Sequence, residues 1–330
     1  MELAFLFADW LGKPAWMWLA FMAIVITLLT LDLGVLHKKN REIEVKESLV
    51  LSAGYISLGL LFGAWVWWYL GPEPGLAYMT GFAVEKALAM DNVFVIAMIF
   101  AFFSVPRLYQ YRVLFWGILG VIVLRALMIG LGATIVSQFS WVLYVFALFL
   151  IATGVKMIVF ADREHDVAAN PVLAFIRRRF NVTDELHAEK FWVKKPHPVT
   201  GRLAWFMTPL FLALVMIEIA DVIFAVDSVP AIFAITTDPF VVYTSNIFAI
   251  LGLRALYFAL AAMVHRFHYL KYALALVLIF IGSKIFMADL LGLEKFPPAL
   301  SLAITFGLLA GGVVWSLAKT RGKHAGSIRA

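Results

Sequence analysis

Long apolar runs, broken by short charged or Gly/Pro-rich stretches, organise this chain from end to end. Crossing a hydrocarbon core takes roughly 17 to 25 helical residues. Runs of that kind occupy 16–36, 48–70, 77–103, 111–136, 141–160, 204–235, 241–264, 270–290 and 298–318. Between them lie clusters such as Gly71-Pro72-Glu73-Pro74-Gly75 and Asp238-Pro239, the signals that end one element and begin the next. The pattern predicts an all-α polytopic membrane protein with about nine transmembrane helices in one domain, 1–330. Two N-terminal helices fill 16–70, a first three-helix unit 77–160, a basic loop 161–203, a second three-helix unit 204–290 and a final helix 298–318.

Composition agrees: 63% of the 330 residues are hydrophobic, 15% are charged and the mean hydropathy is +0.93, far from soluble domains. There is no cysteine, which excludes disulfides, thiolate metal sites and cysteine nucleophiles. Any metal must be held by oxygen, imidazole or thioether. Met1 to Pro14 carries one Lys and two acids, the wrong charge pattern for a cleavable signal peptide, so the first run reads as a retained span. No nucleophile elbow, Walker loop, zinc-protease helix or dinucleotide fingerprint stands where it would carry chemistry, which argues against an enzyme or an ATP-driven pump.

Basic residues set the expected orientation, because cytoplasmic flanks are enriched in them. Of 27 Lys and Arg residues, 20 fall after the first, third, fifth and seventh spans or in the C-terminal tail. Only Lys13 and Lys295 flank the opposite side, and Lys86, Arg125, Lys156, Arg254 and Lys284 lie inside spans. The N-terminus is expected outside and the C-terminus in the cytoplasm. The net charge of +6 then reflects topology and gives no reason to infer nucleic-acid binding. In the 161–203 loop, Arg177-Arg178-Arg179 follows an amphipathic stretch from Asn170-Pro171-Val172-Leu173. That predicts a short surface helix against anionic lipid.

Two units repeat. Glu85-Lys-Ala-Leu-Ala-Met-Asp91-Asn92-Val93 in the third span matches Asp221-Val-Ile-Phe-Ala-Val-Asp227-Ser228-Val229 in the sixth. Leu124-Arg125-Ala126-Leu127 matches Leu253-Arg254-Ala255-Leu256, and Gly154-Val155-Lys156 matches Gly282-Ser283-Lys284, at offsets of 136, 129 and 128 residues. With three spans per unit the second copy enters from the other side, so the repeat is expected to be inverted, an arrangement typical of secondary transporters.

Six carboxylates sit within spans: Asp32, Glu85, Asp91, Glu218, Asp221 and Asp227. Each costs at least a few kcal/mol near the bilayer centre unless paired or hydrated, and such groups are either structural pairs or ion pathways. The structural reading pairs them with Arg125, Lys156, Arg254 and Lys284. The functional reading makes Glu85, Asp91, Asn92, Glu218, Asp221, Asp227 and Ser228 hard oxygen ligands for Mg²⁺, Ca²⁺ or Mn²⁺. Residues six apart are turned by about −120° on a helix. Glu85 and Asp91, like Asp221 and Asp227, therefore either face different neighbours or flank an unwound stretch near Asn92 and Ser228, where Pro230 removes a donor. Met90 and Met216 offer thioethers, although Met in an apolar span commonly just packs. His265 and His268 are either a metal-entry pair or plain solvated residues, and the Trp residues near span ends read as interfacial belts.

The stretches Glu85 to Val95, Glu218 to Ala234, Thr236 to Phe240 and Ser245 to Ala255 closely resemble the TerC/Alx family of bacterial inner-membrane proteins. The likeness extends from Asp32 to about Leu291. The family takes its name from tellurite resistance, and its Alx branch is regarded as exporting manganese. The resemblance implies Mn²⁺ as transported substrate, with Glu85, Asp91, Asn92, Asp221, Asp227 and Ser228 as the matched intramembrane positions. The alternative is a membrane scaffold or stress-resistance factor whose buried charges only pair with one another.

Overall fold

The computed structural model describes residues 5–34, 45–159, 170–197, 201–260, 270–293 and 296–327, with the side chains of 32–34, 91 and 320–327 outside that description. The helices are α1 (Ala15–Gly34), α2 (Val45–Leu70), α3 (Pro72–Phe102), α4 (Arg107–Gln138), α5 (Val142–Val159), α6 (Pro171–Arg179), α7 (Pro209–Ile235), α8 (Pro239–Leu251), α9 (Leu253–Leu260), α10 (Leu270–Leu290) and α11 (Pro298–Ser327). Two antiparallel hairpins complete the chain: β1 (Asp9–Trp10) with β2 (Lys13–Pro14), and β3 (Trp192–Pro196) with β4 (Leu203–Met207). This is an all-α polytopic membrane protein.

Among the described residues, seven units are long and apolar enough to cross a membrane: α2, α4, α5, α7, the α8–α9 pair, α10 and α11. The other two predicted spans fall on α1, whose apolar stretch Ala15–Leu31 is shorter, and on α3. The latter runs for 31 residues but carries Glu85, Lys86 and Asp91 in its middle.

Helix starts follow one local device, a polar cap followed by Pro at the first helical position, where the missing N–H is no loss. Asn170 accepts from Val172 N ahead of Pro171, Thr208 accepts from Phe211 N ahead of Pro209, and Asp238 accepts from Phe240 N and Val241 N ahead of Pro239. Between α2 and α3, Gly71 at φ 100° makes the turn that Pro72 closes, a conformation disfavoured for any residue with a Cβ. Asp238 also accepts an ion pair from Lys13 at 2.9 Å, placing the N-terminal hairpin beside the α7–α8 turn.

Two differences from the sequence reading stand out, and one alternative that it left open is decided. Residues 204–207 do not open the sixth span; they form β4, and α7 starts at Pro209. The seventh span is broken at Gly252 into α8 and α9. A Cβ at Gly252 would lie 2.9 Å from Tyr55 Cβ and 3.1 Å from Lys86 Nζ, and that ammonium donates to the Ala249 carbonyl at 2.9 Å. Both α3 and α7 are helical through Asn92 and Ser228, so neither unwinds beside its acids, even with Pro230 inside α7.

The seam between α5 and α10 is built by glycine. A Cβ on Gly154 would fall 2.6 Å from the Ala275 carbonyl oxygen and 2.6 Å from Ile279 Cγ1. A Cβ on Gly282 would fall 2.5 Å from the Ala147 oxygen and 2.9 Å from Ile151 Cγ1. Gly154 and Gly282 are repeat mates, as are Ala147 with Ala275 and Ile151 with Ile279, all 128 apart. Exchange of partners under one offset is what a two-fold relation produces. The residue order runs in opposite directions along the pair, so such an axis lies across the helices.

Methyl groups here meet backbone, which cannot rotate away. Gly154→Ala and Gly282→Ala should each destabilise the protein by about 1–3 kcal/mol, read as a lower melting temperature in detergent. Gly54→Ala and Gly307→Ala, with nothing within 4 Å of an added Cβ, should leave it unchanged or slightly raised by helix propensity.

Candidate functional site

Where α3, α4, α7 and α8 meet, the apolar core is interrupted by a polar layer centred on Arg125. Its side chain, 1% exposed, reaches all three neighbouring helices. Nη1 donates to Glu85 Oε1 on α3 at 2.5 Å, to Ser228 Oγ on α7 at 2.6 Å and to Asn246 Oδ1 on α8 at 3.3 Å. Nη2 lies 3.5 Å from Asp221 Oδ1 on α7. Asn246 closes the ring by donating Nδ2 to Glu85 Oε2 at 3.0 Å. A planar guanidinium with five donors suits this task, since it can serve several acceptors in one plane. Glu85 and Asp221, the first acids of the two repeat motifs, thus share one guanidinium, so two formal negative charges face a single positive one.

Polar atoms remain over beside this ring. Asn92 donates Nδ2 to Asp221 Oδ1 at 3.3 Å, leaving Asn92 Oδ1 and Asp221 Oδ2 buried with no hydrogen-bond partner among the described residues. Glu218 Oε2 is likewise buried and unpartnered. Glu218 precedes Asp221 by three residues and so shares its face of α7. Its carboxylate sits against Gly120 of α4, where an added Cβ would overlap it, so the space for Glu218 is the side chain that Gly120 lacks. Buried acceptors without donors are rare and call for a reason such as an ion or a water. The chemistry of this set, carboxylate and amide oxygens, suits a hard divalent cation. Among the described residues no three His, Asp or Glu side chains converge closely enough to form a ready metal cluster.

Asp227 follows the other helical face, as its six-residue spacing from Asp221 requires. It accepts from Thr153 Oγ1 on α5 at 3.2 Å, within electrostatic range of Lys156, which is exposed in the last turn of that helix. The acids of α7 therefore serve two neighbours, the first of the two alternatives raised by the sequence. Asp91 occupies α3 between Met90 and Asn92, but its side chain, like that of Asp32, lies outside the described residues, as do His265 and His268 altogether. Met90 and Met216 pack in the apolar cluster beside the layer.

Of the predicted structural bases, Arg125 pairs with acids. Arg254, its repeat mate, is buried with its guanidinium 4.4 Å above the Tyr111 ring. Lys284 is buried and donates to Ser301 Oγ on α11 at 3.4 Å. One participant escaped the sequence reading: Asn246, fully buried, accepts from Arg125 and donates to Glu85, and the available signal was polarity inside an otherwise apolar span.

The chain matches the family described as "Integral membrane protein TerC family" over residues 70–324. It is 46% identical over 310 residues to "Uncharacterized membrane protein STKORF319" of Myxococcus xanthus, covering 94% of each chain. It is 47% identical over 300 residues to an "Uncharacterized membrane protein" of Rickettsia bellii (strain RML369-C), covering 91% of this chain and 96% of the relative. It is also 45% identical over 307 residues to the "Putative membrane-bound redox modulator Alx" of Escherichia coli (strain K12), covering 90% and 92% respectively. No solved structure matches it. A family match over most of the length, joined by relatives of this identity and coverage, places the chain in the TerC family of integral membrane proteins.

Proposed function

We propose that this protein is a secondary transporter that moves a divalent cation, Mn²⁺ in particular, out of the cytoplasm, and that it is not an enzyme. The observation that carries the reading is the surplus of buried oxygens beside Arg125: Asn92 Oδ1, Asp221 Oδ2 and Glu218 Oε2 have no donor. A scaffold whose charges merely pair has no use for them, whereas a cation supplies what they lack. The cation meets Asn92, Glu218 and Asp221 first. Asp91, Asp227 and Ser228, on the same two helices, complete its route, and Glu85 holds Arg125 in place. The repeated motifs and the partner exchange across the α5–α10 seam support two inverted halves working about a site between them. Hard oxygen donors favour Mn²⁺, Mg²⁺ or Ca²⁺ over softer ions, and the choice of Mn²⁺ rests on the family resemblance.

The Alx relatives are named as redox modulators. Thiol–disulfide exchange is closed to this chain because it has no cysteine. The observation that favours a structural reading is the Arg125 ring itself, in which Glu85, Ser228 and Asn246 find their partners inside the protein.

The two readings separate on Glu218. Glu218→Gln keeps the shape and leaves every bond of the Arg125 ring intact. Transport predicts that cells expressing it retain manganese, with efflux lowered about tenfold or more, each decade being roughly 1.4 kcal/mol. Normal manganese export by a normally expressed Glu218→Gln protein would sink the proposal. Proteoliposome flux across Mn²⁺, Mg²⁺, Ca²⁺ and Zn²⁺ then ranks the substrates. Arg125→Ala, by contrast, strands Glu85 and Asp221 as buried charges. Removing one member of a buried pair costs about 3–5 kcal/mol, so this variant should lose expression and thermal stability before transport can be read.

The orientation proposed for the bacterial inner membrane is N-terminus outside and C-terminus cytoplasmic, from the 20 basic residues on one side against two on the other. A C-terminal green fluorescent protein fusion should fluoresce, and a C-terminal alkaline phosphatase fusion should be silent. The reverse pair of results refutes the orientation.

A further inference from the structure

We propose that the outward face of the β3–β4 hairpin is a docking surface for anionic phospholipid headgroups, set at the membrane interface beside α7. The inference rests on the membrane placement and orientation of α7 and is independent of the transport reading.

Register defines the face. Trp192 pairs with Met207, Lys194 with Trp205 and Pro196 with Leu203, and cross-strand partners share one side of a sheet. Lys194 Nζ accordingly lies 4.9 Å from the centre of the Trp205 ring. The opposite side belongs to the protein: Val193 and Phe206 are buried, and Lys195 turns inward to donate to Thr183 Oγ1 at 2.7 Å. On the outward side Leu203 is 72% and Trp205 56% exposed, and Lys194 and the adjacent Arg202 are exposed as well.

Chain continuity fixes the depth. β4 ends at Met207 and α7 begins at Pro209. Trp205 is therefore four residues from a membrane-spanning helix, at most about 14 Å even if fully extended. Direction follows from Trp192, whose ring lies 4.8 Å from that of Phe211 in the first turn of α7. Further along the same helix Val222 and Val226 are exposed apolar side chains of a membrane span. The hairpin face thus stands beside the first turn of that span, at the level of the interfacial zone. Trp at that level, with its apolar ring and polar N–H, is the usual occupant of this zone. Lys194 and Arg202 complement acidic headgroups, and basic residues near a bilayer surface are drawn to anionic lipid.

Because the chain has no native cysteine, Leu203→Cys in the full-length protein gives one labelling site for an environment-sensitive nitrobenzoxadiazole probe. The labelled protein is reconstituted in phosphatidylcholine vesicles with or without phosphatidylglycerol. The proposal expects blue-shifted emission that loses about half its intensity to lipids carrying a nitroxide near the headgroup. The same probe at Glu185→Cys, an exposed side chain between α6 and the hairpin, should emit as in water and remain unquenched, which removes the dye's own affinity for lipid as a cause. Reversing one charge by Lys194→Glu should lower the phosphatidylglycerol preference about fivefold. Water-like, unquenched emission at position 203 overturns the proposal. So does a blue shift without lipid quenching but with energy transfer between labelled copies, which would mean that a second copy of this chain covers the face. An unchanged lipid preference in Lys194→Glu overturns the anionic specificity.

Discussion

A single guanidinium in a place without water is the constraint on which this structure depends. Arg125 cannot lose its proton and cannot be hydrated at 1% exposure, so the helices around it must bring acceptors to it. Glu85, Ser228, Asn246 and Asp221 come from three different helices, and each bond therefore fixes the rotation and height of one helix relative to α4. Apolar packing in lipid has little preference for one register over another, because lipid tails are as apolar as the side chains they replace. Polar atoms that must meet within 3.5 Å do have that preference. The ring specifies how the bundle assembles, and the flanking aromatic and aliphatic clusters fill the shape it sets.

The two halves of the chain share motifs but use them differently. Glu85 and Asp221 converge on Arg125, while Arg254 in the equivalent place lies over Tyr111. Symmetry in sequence is thus broken in chemistry at the centre of the molecule. A strictly two-fold layer would place two guanidinium groups against two carboxylates and neutralise them. With Arg254 placed elsewhere, the layer keeps buried oxygens that have no hydrogen-bond donor among the described residues.

What could be read from sequence was set by range. Helix starts were legible at Asn170-Pro171 and Asp238-Pro239, which are complete local signals. That Asp221 and Asp227 face different neighbours was one of two alternatives left open by helical rotation, and the structure takes it because α7 stays helical. The β3–β4 hairpin was hidden because Leu203 to Met207 is apolar and runs without interruption into α7, so hydropathy extended the helix through it. The break at Gly252 was hidden because its cause is remote: Tyr55 and Lys86, far away in the chain, crowd that backbone. Asn246 was passed over for the same reason, since its partner Glu85 is 161 residues away.

The glycine seam between α5 and α10 has a mechanical consequence. Two helices whose glycines lie this close to a facing carbonyl and an isoleucine stem resist sliding past each other. A shift of one residue would bring a Cβ where Ala275 or Ala147 presents its carbonyl. They can still tilt, because the close contacts at Gly154 and Gly282 occupy only a short length of each helix. The seam therefore leaves tilting of α5 against α10 as the easier displacement and opposes translation. A rocking motion that turned the Arg125 layer from one side of the membrane to the other would pivot there, and the distance from that pivot to the layer would set how far each oxygen travels.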